Sequence, residues 1–145
     1  MGTYMLVQHY SFSSAHHLPH LGPTHKCATN HGHNWEVTVR VVAQKLHDEF
    51  VIDFAKLRQS MDTILQRLDH KDLNEILPFI PTCENLARYI HEQLSLIGKA
   101  QAEDRVQLFS VTIEEAKGNA VIYFSDTKEV VWRCPSIQEA LTERN

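Results

Sequence analysis

An α+β domain, with a four-stranded antiparallel sheet and two helices over one of its faces, is the fold class this sequence predicts. Three features carry the prediction: two long alternating segments near the start, two helical apolar patterns in the middle, and a second alternating pair meeting at Gly118 and Asn119. Helices that follow one another between two strand pairs are expected on the same side of the sheet. The 145 residues suit one domain spanning 1–145, large enough to bury a core without disulfides.

Tyr4 to Ser14 alternates, with Met5, Val7 and His9 on one side and Tyr4, Leu6, Gln8 and Tyr10 on the other, and it runs on into Ala15 and His16. From His17 to Asn30 the chain carries Pro19, Gly22 and Pro23 with little apolar period, which reads as a long loop. His31 to Ala43 is a strand with Trp35, Val37, Val39 and Val41 on one face, a face that His31 and His33 continue. Asp53 is an expected N-cap for a helix with apolar positions Phe54, Leu57, Met61, Ile64, Leu65 and Leu68. After a link through Pro78 and Pro81, Thr82 should cap a second helix carrying Leu86, Ile90, Leu94 and Ile97 and stopping at Gly98. Arg105 to Glu115 alternates again, with Phe109, Val111, Ile113 and Glu115 sharing a face, and turns into Val121 to Phe124. From about residue 126 a polar extension follows, with one apolar knot at Val130, Val131 and Trp132.

The net charge of -4 and the lack of a basic block exclude nucleic acid as an expected partner, and no apolar run is long enough to span a bilayer. With no signal-like N-terminus, the expectation is a cytoplasmic protein without a membrane partner. Three widely spaced cysteines, Cys27, Cys83 and Cys134, argue against a disulfide framework. Of the ten histidines, six lie between His16 and His33, and that cluster points to a metal.

Side chains at i and i+2 of a strand face the same way, about 7 Å apart, so His31 and His33 present two imidazoles to one side. A third nitrogen donor would complete the three-ligand set of a catalytic zinc with one position open. His16 is the best candidate, at the end of a strand expected to pair with the His31 strand, while His17 would point away. Zinc is favoured over iron because no carboxylate stands within the histidine cluster in sequence. The bland alternative is a polar strand face in solvent.

Three further groups bear on proton transfer. Cys27 lies four positions before His31, where a nearby cation would favour the thiolate and make it a base or nucleophile; a fourth metal ligand or an inert thiol are the alternatives. Asp69 and His70 form either a proton relay, the carboxylate fixing the imidazole tautomer, or a plain surface turn. Glu115 continues an apolar face, where a carboxylate is costly unless it meets a donor such as a ligand.

Five stretches taken together carry a resemblance: FSSAH ending at His16, CATNHGH from Cys27 to His33, LDHKDLN from Leu68 to Asn74, PTCENL from Pro81, and IEEA from Ile113. In this order they resemble the 6-pyruvoyl-tetrahydropterin synthase superfamily over about Met5 to Ser125. The resemblance implies a tunnelling fold whose subunits pool their strands into a barrel, as a trimer or a dimer of trimers with sites between subunits. It implies Zn2+ on His16, His31 and His33, Cys27 as the acid/base thiol with Asp69 and His70 as relay partners, and Glu115 as the anchor of a pterin ring. Thr82 and Cys83 fall at pterin-contacting positions, although Cys83 and Ala116 replace threonines found in some members.

The C-x3-H-G-H spacing resembles the 6-carboxy-tetrahydropterin synthases of queuosine biosynthesis, whereas pyruvoyl-forming members have a longer gap. The expected substrate is 7,8-dihydroneopterin triphosphate, and the expected products are 6-carboxy-5,6,7,8-tetrahydropterin, acetaldehyde and triphosphate. His25 and Lys26 are candidates for holding the triphosphate. The rival reading is a 6-pyruvoyl-tetrahydropterin synthase, and the distant one a non-enzymatic zinc-binding module.

Overall fold

The computed structural model describes residues 2–100 and 106–124, the side chains at 99, 100 and 109 excepted. Four strands form one antiparallel sheet in the order β1 (Tyr4–His16), β2 (His31–Ala43), β3 (Gln107–Ala116) and β4 (Asn119–Phe124). Between β2 and β3 come α1 (Phe54–Leu65), the single turn α2 (Leu73–Ile76) and α3 (Cys83–Ala100). The predicted α+β class with two main helices on a four-stranded sheet holds.

Strand alternation sorts β1 and β2 into an inner and an outer face. Leu6, Tyr10 and Phe12 from β1 and Trp35, Val37, Val39 and Val41 from β2 turn inward, joined by Val111 and Ile113 of β3. Against them pack Leu57, Met61, Ile64 and Leu65 of α1 and Leu86, Ala87, Ile90 and Leu94 of α3. Each such aliphatic side chain contributes about 1.5–3 kcal/mol when fully buried. Phe12 and Trp35 lie parallel with ring centroids 6.0 Å apart, closing the core beneath the end of the sheet where the histidines stand. β1 and β2 pair without a break from Tyr4↔Ala43 to His16↔His31.

Helix α1 begins where Asp53 accepts a hydrogen bond from the Ala55 amide at 2.8 Å, as its sequence predicts. It ends at Leu65, so Leu68 reaches the core from the following turn, and Phe54, predicted as an apolar contact, is 67% exposed. Thr82 Oγ1 accepts from the Asn85 amide at 3.2 Å and caps α3. That helix continues past Gly98 to Ala100 rather than stopping at the glycine; the glycine backbone is compatible with helix, and its lack of a side chain costs only about 1 kcal/mol.

Two irregularities in β3 escaped the alternation rule. A register shift opposite Arg40 and Val41 brings Leu108 against the core, while the side chain of Phe109 lies outside the described residues, as do Arg105, Cys134 and the extension from 126. A second shift lies between Glu114 and Ala116, where β4 advances one residue against two, leaving Glu115 as the extra, bulged residue. Gly118, at φ +91°, makes the turn that follows. No helix among the described residues is long and apolar enough to cross a membrane.

Candidate metal centre and active site

The paired ends of β1 and β2 bring three imidazoles together because His16 sits directly opposite His31, and His33 lies two residues further along the same face. Ring centroids are 4.6 Å apart for His16 and His31, 5.1 Å for His16 and His33, and 4.8 Å for His31 and His33. Trp35 forms the floor, its ring edge-on to His16 at 4.9 Å and to His33 at 5.2 Å. The face assignments for His16, His31 and His33 are therefore those expected. Gly32 is not needed for space: a Cβ there would meet only the Ser14 carbonyl, at an ordinary 3.9 Å.

Backbone carbonyls orient two of the rings. His16 Nδ1 donates to the Pro81 carbonyl at 2.8 Å, and His31 Nδ1 donates to the Thr29 carbonyl at 2.7 Å, each leaving Nε2 as the other ring nitrogen. Such acceptors fix the tautomer and turn of a ligating imidazole. Nothing in the sequence pointed to Pro81 or Thr29, because a carbonyl's role depends on where the backbone goes and not on residue type.

The carboxylate of Glu115 also enters this group. Its Oε1 lies 3.1 Å from His16 Nε2 and 2.7 Å from His33 Nε2, and one ligand atom from each of His16, His31, His33 and Glu115 falls within 4.8 Å of the others. The argument for zinc that no carboxylate stands among the histidines is thus overturned: β3, in register with β2 up to Glu36↔Glu114, delivers one from far along the chain. The donor that Glu115 needs comes from within the protein. Cys83 Sγ donates to Oε2 at 3.6 Å, and burial, with the negative charge of Glu115, pushes the Cys83 thiol up to about 12, so it stays protonated.

These residues fit a divalent cation. His33 Nε2 is buried and, despite its short approach to Glu115, meets no hydrogen-bond geometry with any described partner. Burial lowers the His33 pKa, and the neighbouring His16 and His31 add to that against the pull of Glu115, which keeps the ring in its neutral, ligating form. A cation would satisfy the orphaned nitrogen, and three imidazoles with a carboxylate are donors that zinc takes. Glu115 Oε1 already stands 3.1 and 2.7 Å from two of these nitrogens, so uptake of an ion would rearrange the group and not simply contract it.

The remaining predicted residues stand apart from this group. Cys27 is half-buried in a 3-10 turn (Lys26–Ala28), its carbonyl accepting from the Leu18 amide at 2.7 Å and its amide donating to His25 Nδ1 at 3.1 Å. That ties it beside the end of β1, but its sulfur is not among the clustered ligand atoms, which sets aside its reading as a fourth ligand in this arrangement. The same contact gives His25 a local structural task. Thr82 spends its hydroxyl as an acceptor at the α3 cap.

Asp69 and His70 form more than a plain turn. Asp69 Oδ1 accepts from the Ser13 amide at 2.9 Å, and Oδ2 lies 2.9 Å from His70 Nδ1. The Ser13 amide and then the His70 contact hold the Asp69 carboxyl below its ordinary range. His70 adopts a left-handed φ of +56° and donates its amide to the Ser13 carbonyl, and its ring is 82% exposed with Nε2 turned away from Asp69. The Ala15 amide donates to the Lys71 carbonyl and the His17 amide to Asn74 Oδ1, so the whole segment is laced to the edge of β1. An open cleft of about 510 Å³ there is lined by Ser13, Gly32, His33, Asn34, His70 and Lys71, among others.

Known proteins share both sequence and fold with this chain. A 6-carboxy-5,6,7,8-tetrahydropterin synthase from Synechocystis is 32% identical over 129 residues, which cover 84% of this chain and 94% of that protein. A dihydroneopterin monophosphate aldolase from Pyrococcus furiosus is 39% identical over 64 residues, 44% of this chain and 54% of that protein. The solved structure of Caenorhabditis elegans 6-pyruvoyl tetrahydropterin synthase superposes with a TM-score of 0.75 at 29% identity, covering 87% of this chain and 98% of that one. The fold is therefore the tunnelling fold of these pterin enzymes. Residues 5–126 match the family model described as 6-pyruvoyl tetrahydropterin synthase, and the chain belongs to that family.

Proposed function

We propose that this member of the pterin-metabolising family is a zinc-dependent 6-carboxy-5,6,7,8-tetrahydropterin synthase, a carbon-carbon lyase serving queuosine biosynthesis. Its substrate would be 7,8-dihydroneopterin triphosphate, which loses triphosphate and acetaldehyde with net uptake of water. The observation that carries the reading is the convergence of His16, His31 and His33 at the paired ends of β1 and β2, with Cys27 on the turn four positions before His31. The short C-x3-H-G-H spacing favours the carboxy product, and the relative from Synechocystis bears that name over most of both chains. The C. elegans structure keeps the pyruvoyl-forming reaction as a second reading.

His16, His31 and His33 would hold the ion, which as a Lewis acid stabilises negative charge developing on the substrate's side-chain oxygens. Glu115 would accept from the pterin N–H groups, with Thr82 and Cys83 beside the ring. Cys27 would take a proton from the carbon next to the ring, and His70, its tautomer set by Asp69, would return one through the exposed Nε2. His25 and Lys26, on the loop carrying Cys27, would face the triphosphate. A homo-oligomer with strands pooled across subunits would bring Cys27 and the exposed His70 to one site.

Incubation of the zinc-loaded protein with 7,8-dihydroneopterin triphosphate, with product identification, tests this. Release of acetaldehyde with a carboxy-pterin supports the proposal. A pyruvoyl product without acetaldehyde assigns the second reading, and no turnover with full metal occupancy points to a non-enzymatic zinc module.

A further inference from the structure

His16 donates from Nδ1 to the Pro81 carbonyl, which can only accept. His16 Nε2, the ring's other nitrogen, faces Glu115 Oε1 at 3.1 Å. His33 repeats the pattern: its Nε2 is 2.7 Å from the same oxygen without hydrogen-bond geometry. His31 has the same tautomer as His16, with Nδ1 committed to the Thr29 carbonyl. One ligand atom from each of three histidines and a carboxylate thus lies within 4.8 Å of the others, an arrangement that suits the ligands of a single ion.

We propose that Glu115 is a two-position carboxylate: before substrate arrives its Oε1 completes the histidine site as a fourth ligand, and a pterin ring draws it off and opens that position. The inference rests on the metal reading above. Glu115 is free to play both parts because it is the extra residue of a β-bulge, with no partner on β4 fixing its place in the ladder. Among the described residues, its other oxygen is held only by the Cys83 thiol at 3.6 Å, a weak donor on a long contact. A planar pair of pterin N–H groups needs both carboxylate oxygens, so the two positions exclude each other. Metal and an unsubstituted pterin ring must then weaken one another's binding, by the same factor in each direction.

The test is zinc affinity by competition with a chromophoric chelator, together with visible spectra of the cobalt-loaded protein. Wild type, Glu115→Gln and Glu115→Asp are compared, the last keeping the charge on a shorter arm. Both variants should bind zinc about ten- to a hundredfold more weakly, with altered cobalt bands. Unsubstituted pterin should move the wild-type cobalt spectrum toward that of Glu115→Gln and leave the variant's own spectrum unchanged. Equal zinc affinities and superimposable cobalt spectra in wild type and both variants would overturn the proposal. If folded wild type holds no zinc at all, the metal reading itself falls and this one with it, an outcome distinct from equal binding by all three.

Discussion

His33 has a buried nitrogen without a hydrogen-bond partner among the described residues, and an uncompensated group of that kind costs about 1–3 kcal/mol, which a bound cation would recover. His31→Ala should therefore abolish stoichiometric zinc while leaving the fold intact by circular dichroism, and a variant that keeps its metal would defeat the assignment. Cys27 makes the opposite prediction, since its sulfur lies outside the clustered donors. Cys27→Ala should retain zinc and lose about 10²–10⁴ in kcat, the usual worth of an acid/base group, so undiminished turnover would remove the thiol from the chemistry. Trp35 links site to core. Trp35→Ala should cost about 3–5 kcal/mol in a denaturation experiment, and because its ring underlies His16 and His33 the metal should be held less tightly as well.

At the level of elements, the helices and strands respond to simple rules. Removing the α1 cap by Asp53→Ala should lower stability by about 1 kcal/mol with no effect on metal content, readable as a shift in the denaturant midpoint. On α3, His91 is buried against Tyr123, rings 5.0 Å apart at 70°, and burial lowers its pKa against the opposing pull of a Leu108 backbone hydrogen bond. A histidine kept neutral in the fold but free to protonate when unfolded loses stability as pH falls below about 6.5, because the unfolded chain then binds more protons. The drop in stability between pH 7 and pH 5.5 should be smaller in His91→Phe; an identical drop would rule out this group as a source. Strand faces and helix caps were legible in sequence because periods of 2 and 3.6 and a capping Asp or Thr act locally. The bulges in β3, the lacing of residues 69–74 to β1 and the carbonyls of Pro81 and Thr29 were not, because each depends on where a distant backbone passes. Glu115 shows the boundary: its face followed from alternation, but its place among the histidines followed from the register in which β3 pairs with β2, residues distant in the chain.

For the whole molecule, β1 and β4 are the two sheet edges among the described residues, and there the contacts from residues 69–74 cover only the site end of β1. Met5, Val7 and Ile122 stand exposed on the strands, an apolar margin that strand pairing between copies would bury. Light scattering should give a mass that is a multiple of 16.7 kDa, and Val7→Lys should shift it toward a single chain; a wild-type mass of 16.7 kDa at enzyme-assay concentrations would count against shared sites. The direct pairing of His16 with His31 has one more consequence. On the proposed reading, the residues that would hold the ion inherit the rigidity of a continuous ladder, whereas Cys27 rides on a connection whose length the ladder does not constrain. A change in that connection could then move the thiol without disturbing the histidines.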